Sequence, residues 1–504
     1  MEDTKDNDMK AAAPGRSSAY GQRVADRLRS AAGAGRLDAP TAVGEAGATA
    51  CRGLVRLELK VDGGVITDAR FQAYGCPATL ASASQVVESV SGASLLDAAA
   101  VTVDDISSSL SLASEKISSA DLAIEALHAA LTGVVLRVDQ LCPPRSEAGD
   151  LGVLVGMSGG VDSAVAALLL KQQGYRVVGA TLRLWTDPEC DTDGSCCSPE
   201  SVRRARRVAH SLGIPHLTID AAEAFRQEVV QYFLEEYEAG RTPNPCAKCN
   251  ARLRFAVLAD VARRSGLDWV ATGHYARKVA GQPGLARGKD RAKDQSYVLA
   301  EASPQLLGKC LFPLGDMCKQ DVRSVAARAG IEGSEQPESQ EICFIPDDDY
   351  RRFLRSHLGE RPGAIVDCNG TVLGHHRGTY NFTIGQRKGL GIAAGEPLFV
   401  VGLDADRAEV VVGRSDELAV DEVVVGRLTW HHPPTAGHGL AQFRSSGEAI
   451  PGRLVLSPPD LVTIVLERPA KAVAPGQTAV FYEEDVVVLA GTIVATGSVD
   501  GSRQ

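Results

Sequence analysis

The segment Gly156-Met-Ser-Gly-Gly-Val-Asp-Ser163 constrains this chain more than any other. It follows an apolar run, residues 152–157, that reads as a strand. It precedes an Ala/Leu-rich stretch, residues 163–173, that reads as a helix stopped by Gly174. Consecutive small residues at such a junction let backbone N–H groups converge on an anion, and the helix dipole adds partial positive charge. Gly159 and Gly160 permit backbone angles that a side chain hinders, while Ser158 and Ser163 contribute hydroxyls. The candidate phosphate ligands are therefore Gly156, Met157, Ser158, Gly159, Gly160, Val161, Asp162 and Ser163. No Gly-x-x-x-x-Gly-Lys-Ser/Thr run occurs in the chain, which excludes a P-loop kinase or GTPase signature. The plain alternative is a glycine-rich turn that happens to open a helix.

The pattern around this loop divides the chain. Residues 56–61 alternate with period two, residues 66–73 form a second strand pattern after the turn Asp62-Gly63-Gly64, and residues 81–90 and 120–131 read as helices. This predicts an α+β unit over residues 17–142, behind a polar stretch, 1–16, of disordered character. Residues 143–150 have linker chemistry, with Pro143 and Pro144 barring a helix. Strand patterns at 177–182, 216–219 and 269–272 alternate with helical ones at 201–212, 221–238 and about 251–264. Such alternation predicts a parallel sheet covered by helices, over residues 151–358. Beyond about residue 360 helical periodicity fades, and 461–466 and 479–488 are β-rich. A small barrel or sandwich at the C-terminus follows from this.

With 53 Lys and Arg against 63 Asp and Glu, the net charge is −10. A protein that coats nucleic acid by bulk charge is excluded, so contact with RNA needs local patches. Arg203, Arg204, Arg206 and Arg207 offer one, and Arg351, Arg352 and Arg355 another; solvated helix faces are the plain alternative. No apolar stretch of membrane-spanning length and no secretory leader is present, so a cytoplasmic protein is expected. Twelve cysteines in such a chain point to metal or redox chemistry rather than structural disulfides. Cys246-Ala-Lys-Cys249 has that spacing, inside a run stiffened by Pro243 and Pro245. Cys249 is expected just before a helix, where the helix N-terminus and Lys248 would lower its thiol pKa. Cys343 stands in SQEICFIP, residues 339–346, while Cys310, Cys318 and Cys368 read as inert thiols.

The SGGxDS core resembles the pyrophosphate loop of the ATP pyrophosphatase (PP-loop) family, of adenine nucleotide alpha hydrolase-like fold. Six motifs then follow in order: GMSGGVDS, GRTPNPCAKCN, Ala271-Thr-Gly-His-Tyr275, Lys293-Asp-Gln-Ser-Tyr297, SQEICFIP and Thr383-Ile-Gly-Gln-Arg-Lys-Gly-Leu-Gly391. Together they resemble the tRNA-specific 2-thiouridylase family over residues 150–504. The resemblance implies a PP-loop domain, a small central domain over 359–420 and a C-terminal β-barrel over 421–504 that binds tRNA. It also implies ATP-dependent 2-thiolation of the wobble uridine of Lys, Glu and Gln type tRNA, with Mg2+. Adenosine contacts fall on Leu182, where some relatives carry methionine, and on Gly273. Cys343 is implied as persulfide carrier and Cys249 as its thiol partner, the two able to close a disulfide. Implied tRNA contacts are Asn244, His274, Lys293, Asp294, Gln295, Arg444 and Gln477; for His274 a structural histidine is the plain alternative. A cysteine desulfurase or sulfur relay protein is the implied donor.

Many relatives carry Asp where Cys246 stands, so three thiols, Cys246, Cys249 and Cys343, can here be imagined around a 4Fe–4S cluster that binds hydrosulfide at its open iron. Residues 17–142 resemble the IscU/NifU iron–sulfur scaffold family, through Tyr20-Gly-Gln-Arg-Val, Ala50-Cys51, Leu57-Glu-Leu-Lys-Val and residues 68–76 ending in Cys76. That family binds a cluster through three cysteines with an Asp and a His nearby. Here Cys51 and Cys76 remain, the Asp position reads Gly53, and the His-Cys pair reads Ser118-Ser119. Two thiolates are too few to hold a cluster unaided. The module then implies docking of a desulfurase, sulfur relay through Cys51 or Cys76, or metal bridged across a dimer, with a degenerate stabilising domain as the plain alternative. Two other classes stand beside the thiolase: an iron–sulfur carrier driven by ATP, and another PP-loop ligase of argininosuccinate-synthetase type, which has no use for paired reactive thiols.

Overall fold

The computed structural model describes residues 20–48, 53–143, 151–187, 198–279, 284–331, 342–345, 347–393, 395–457 and 460–497. The polar stretch 1–16, linker residues 144–150, Cys51, and residues 339–341 and 346 lie outside the described residues. The chain divides into two compact units, Met1–Pro143 and Pro144–Gln504.

In the first unit three antiparallel strands, Ala42–Ala48, Gly53–Asp62 and Val65–Tyr74, pair in sequence order. Period-two patterning causes the middle one: Val55, Leu57 and Leu59 are fully buried on one face. Helices Pro77–Val90 and Ile117–Val135 supply the apolar layer behind the sheet. Both begin about a turn earlier than periodicity alone suggested. Pro77 takes the first helical position, where its missing N–H is no loss, and a 3-10 turn, Ser114–Lys116, leads into the second helix.

The second unit opens with a five-stranded parallel sheet. Its order is Cys310–Leu311, Trp269–Thr272, Gly152–Gly156, Arg176–Arg183 and His216–Asp220. Helix Val161–Gln172 buries Ala164, Val165, Ala166, Ala167 and Leu170, and helix Lys319–Arg328 adds Val322 and Ala326 to the same core. A four-stranded sheet follows in the order Val372–His376, Gly363–Asp367, Glu409–Gly413 and Phe399–Asp404, around Ile365, Val400, Val410 and Val412.

The C-terminal strands close into a barrel. Ala419–Trp430, Leu461–Lys471, Ile450–Ser457, His438–Gln442, Thr478–Glu483 and Val486–Gly497 pair in turn, and the last pairs back with the first. The β-rich stretch 479–488 is thus parts of two strands, because Glu484 takes a positive φ of 54° and turns the chain. A hairpin from the α/β domain, Ala276–Lys278 with Leu285–Arg287, joins the barrel sheet through Ala286 and Val486. Arg277 and Arg291 clasp Asp485 at that seam, at 3.0 and 2.5 Å. Among the described residues no helix is long and apolar enough to cross a membrane.

Candidate active site

Gly156 ends the central strand of the parallel sheet, between Arg176–Arg183 on one side and Trp269–Thr272 on the other. Open α/β sheets leave a ligand crevice at such a point. Gly160 caps helix Val161–Gln172. The Ser163 hydroxyl donates to the Gly160 carbonyl at 3.0 Å and accepts from the Ser158 N–H at 3.2 Å, so it braces the loop from within. Gly159 has φ +77°, and a Cβ there would stand 2.7 Å from the Ser201 carbonyl oxygen and 3.3 Å from Arg204 Nε. Gly273 reaches the same loop from the next strand: its Cβ would fall 2.7 Å from Ser163 N and 2.8 Å from Asp162 C. Only bare backbone fits at either place. Gly273→Ala is expected to weaken ATP binding about tenfold or more, since moving the helix start away from the phosphates forfeits charged hydrogen bonds of about 1.5–3 kcal/mol each. Titration calorimetry with ATP measures this.

Asp162 serves the loop rather than standing open as a nucleophile. Lys319 Nζ lies 2.7 and 2.6 Å from its two carboxylate oxygens, and the buried Tyr275 hydroxyl donates to one of them at 2.8 Å. Among the described residues no three His, Cys, Asp or Glu side chains are arranged to hold a metal ion. Mg2+ entering with ATP would be held chiefly by phosphate oxygens and water.

Asn244 caps helix Pro245–Cys249 by accepting from Ala247 N–H at 3.1 Å. The helix runs on through a π-helical turn, Asn250–Arg254, into Phe255–Arg264. Cys249 therefore lies inside a helical run and not just before one; Cys246 is the thiol in its first turn. Lys248 is no counter-charge for Cys249 either. Its ammonium is buried against the Glu301 carboxylate and donates to Thr492 Oγ1 at 3.1 Å, while Thr478 Oγ1 donates to Glu301 at 2.6 Å.

Cys249, 4 % exposed, joins an apolar cluster with Phe225, Phe233, Phe344 and Phe353. Cys343 and Leu182 pack against the same cluster. Phe344 anchors the segment that carries Cys343, with its ring 5.4–5.7 Å from those of Phe225, Phe233 and Phe353. The two thiols thus converge on one core beside the strand that neighbours the phosphate loop. Cys249 and Cys343 are not joined to each other by a disulfide in this structure. Among the described residues Cys246, Cys249 and Cys343 are not grouped as a ligand triad for a 4Fe–4S cluster.

The barrel clamps the segment that leads into this helix. Thr242 N–H donates to the Pro475 carbonyl at 2.9 Å, and Gln477 Nε2 to the Pro243 carbonyl at 3.4 Å, which brings Gln477 beside Asn244. Exposed Arg444 donates to the Ala472 carbonyl, next to Gly385 of the Thr383–Gly391 motif. Asp294 and Gln295 are turned inward: Asp294 accepts from Gly288 N–H, Ser296 N–H and the Ser296 hydroxyl, and Gln295 Oε1 from Tyr275 N–H at 3.0 Å. Lys293 is half-buried in the same turn. His274 Nδ1 lies 2.8 Å from Thr272 Oγ1, and burial first, then the charge of Arg254, pushes its pKa down to about 3, so the ring is neutral.

Family models match the chain in four places: a NifU-like N terminal domain over 19–138, a tRNA methyl transferase HUP domain over 151–347, a tRNA methyl transferase PRC-barrel domain over 351–414, and an aminomethyltransferase beta-barrel domain over 420–493. The chain is 45 % identical to the bifunctional protein NifU/MnmA of Rubrobacter xylanophilus over 94 % of its own length and 98 % of the relative's. It is also 45 % identical to the tRNA-specific 2-thiouridylase MnmA of Carboxydothermus hydrogenoformans, and 47 % to that of Acidothermus cellulolyticus, each over 68 % of this chain and 97 % or 98 % of the other. The chain belongs to the tRNA-specific 2-thiouridylase family. Like its Rubrobacter relative, this 2-thiouridylase family member carries a NifU-like module in front.

In that module Cys76 caps helix Pro77–Val90, with its sulfur 3.4 Å from Thr79 Oγ1 and 3.6 Å from Ser119 Oγ. The serine standing where scaffold proteins carry their third cysteine thus does face Cys76. Burial raises this thiol, but the hydroxyls of Thr79 and Ser119 and the N–H groups of Thr79 and Ala78 outweigh it and bring the pKa down to about 7. Burial, only partly offset by the charge of Lys278, pushes Cys310 up to about 12. Iodoacetamide labelling of Cys76 should therefore be half-maximal near pH 7 while Cys310 stays unlabelled, read by peptide mass spectrometry.

The two arginine patches are largely absorbed by this 2-thiouridylase fold. Arg206 is buried, Arg207 pairs with Glu200, and Arg204 sits against the phosphate loop. Arg352 is tied to Asp187 and Asp347, leaving Arg351 and Arg355 exposed. Sequence reasoning gave no role to Lys319, Glu301, Thr478 and Thr492, nor to Tyr275, which it noted only as the end of the Ala271–Tyr275 motif. None sits in a motif whose spacing announces its partner.

Proposed function

We propose that the chain replaces O2 of the wobble uridine, position 34 of Lys, Glu and Gln type tRNA, with sulfur, using ATP as activator and a persulfide on Cys343 as donor. The observation that carries this is the convergence of Cys249 and Cys343 on one apolar cluster with Leu182, beside the strand next to the phosphate loop. Family membership supports it, and argues against both an ATP-driven cluster carrier and an argininosuccinate-type ligase.

The chemistry runs in three displacements. Residues 156–163 hold the phosphates of ATP, with Leu182 and Gly273 beside the adenosine. Uracil O2 attacks the α-phosphorus, the bond to the bridging oxygen breaks, and pyrophosphate leaves. The base, drawn out of its stack as base-modifying enzymes require, now carries AMP on O2. The terminal sulfur of the Cys343 persulfide attacks C2, and the C2–O bond breaks with loss of AMP. The Cys249 thiolate then attacks Cys343 Sγ, and the S–S bond to the base breaks. Thiouridine departs with the sulfur, leaving a Cys249–Cys343 disulfide that a dithiol reopens with two electrons. Asn244, His274, Lys293, Arg444 and Gln477 are the proposed tRNA contacts, with Asp294 and Gln295 shaping the turn that presents Lys293. The NifU-like module receives sulfur from a desulfurase or relay protein, with Cys76 or Cys51 as its thiol. No step is routed through a 4Fe–4S cluster; among the described residues Cys246, Cys249 and Cys343 are not grouped as ligands.

The test is thiolation of unmodified tRNA by the purified full chain with ATP, Mg2+, cysteine and a desulfurase. Nucleoside mass spectrometry reads the product and chromatography reads AMP. One AMP per 2-thiouridine at position 34 supports the reading. Thiouridine formed without ATP cleavage, or ATP cleavage indifferent to tRNA, overturns it.

A further inference from the structure

The phosphate loop, residues 156–163, contains no lysine or arginine. Breaking ATP between the α and β phosphates releases pyrophosphate, whose charge builds on the bridging oxygen in the transition state. Preorganised donors aimed at developing charge are what lower such a barrier. P-loop enzymes carry a lysine inside the loop for this purpose; here none is available from the motif.

Lys319 stands at the first position of helix Lys319–Arg328, far along the sequence from the loop. Three observations fix it in place. Its backbone N–H donates to Asp290 Oδ2 at 2.9 Å. Its helix packs Val322 and Ala326 into the core under helix Val161–Gln172. Its ammonium is held 2.6–2.7 Å from both oxygens of Asp162, the second residue of the helix that the loop opens, and 5.9 Å from the Tyr275 ring centroid. The Tyr275 hydroxyl holds Asp162 in turn at 2.8 Å. The Lys319 side chain is 17 % exposed, so the ammonium is shielded on the core side without being sealed off.

We propose that Lys319 is the cation that receives the β and γ phosphates of ATP, with Asp162 and Tyr275 as positioning residues that aim it at the loop. This rests on the nucleotide reading given above. In the reaction Lys319 keeps its proton. It offers N–H donors to the bridging oxygen as the α-phosphorus–oxygen bond breaks, and the pyrophosphate leaves with both electrons of that bond. Because it addresses the phosphates beyond the α position, it discriminates ATP from AMP.

The experiment uses the full chain with Lys319→Gln and Lys319→Arg. Titration calorimetry with ATP and with AMP reads binding, and pyrophosphate release in the presence of unmodified tRNA reads the step. For Lys319→Gln, ATP affinity should fall about tenfold, AMP affinity should stay within about twofold, and pyrophosphate release should drop about a hundredfold, the cost of losing one oriented charge donor. Lys319→Arg should recover most of the ATP affinity. Retained AMP binding shows at the same time that the variant is folded. Unchanged ATP affinity in Lys319→Gln overturns the proposal. So do equal losses for ATP and AMP in both variants, which mark a brace of the loop and not a ligand. A wild-type chain that binds neither nucleotide refutes the nucleotide reading itself, a distinguishable failure.

Discussion

Cys343→Ser should leave tRNA without 2-thiouridine while tRNA-dependent release of pyrophosphate continues. Serine cannot carry a persulfide, but nothing in the adenylation step uses Sγ, so the two half-reactions separate cleanly. The loss in thiolation should exceed about a thousandfold, as for other covalent nucleophiles. Cys249→Ser fails later. Its first turnover should strand the base on Cys343 through a disulfide, seen as a tRNA–protein adduct on a denaturing gel and released by dithiothreitol. Cys246→Ala should thiolate within a few-fold of wild type if Cys246 has no part in the transfer. Thiouridine formed at the wild-type rate by Cys343→Ser would remove Cys343 as the carrier.

Glu301→Gln should destabilise the unit that contains the barrel by about 3–5 kcal/mol, the usual cost of removing one partner of a buried ion pair. The Lys248 and Glu301 side chains are each 5 % exposed, so the stranded ammonium has no route to water. Lys248→Met should cost a similar amount. The double change Lys248→Met with Glu301→Leu should recover most of it, since replacing both charges with apolar groups of similar volume is often close to neutral. Urea unfolding of the three variants reads the differences. A double variant no better than either single one would mean that packing, not the charge pair, dominates there.

The parts of the site that sequence disclosed are those whose cause is local. The strand, glycines and helix around residues 152–173 announce themselves through period and small side chains, and the cysteine motifs through spacing. What stayed hidden was long-range. Lys319 lies 157 residues from Asp162, and Thr492 lies 244 from Lys248. No periodicity links such positions. Lys248 misled for a simpler reason. Adjacent residues on a helix point about 100° apart, so its place next to Cys249 in sequence put it on another face. The tRNA contacts inherited by resemblance were similarly uneven. Gln477 reaches the Pro243 carbonyl, one residue before Asn244, whereas Asp294 and Gln295 spend their oxygens on nearby backbone.

The hydroxyls of Thr478 and Thr492, on the barrel wall, complete a charge pair whose two members belong to the domain in front of it. The C-terminal barrel is therefore not an interchangeable cassette. A foreign barrel grafted near residue 419 would arrive without those two oxygens and leave a buried cation short of solvation. Drift at positions 478 or 492 has to be answered at 248 or 301, so stretches remote in the gene are bound to change together.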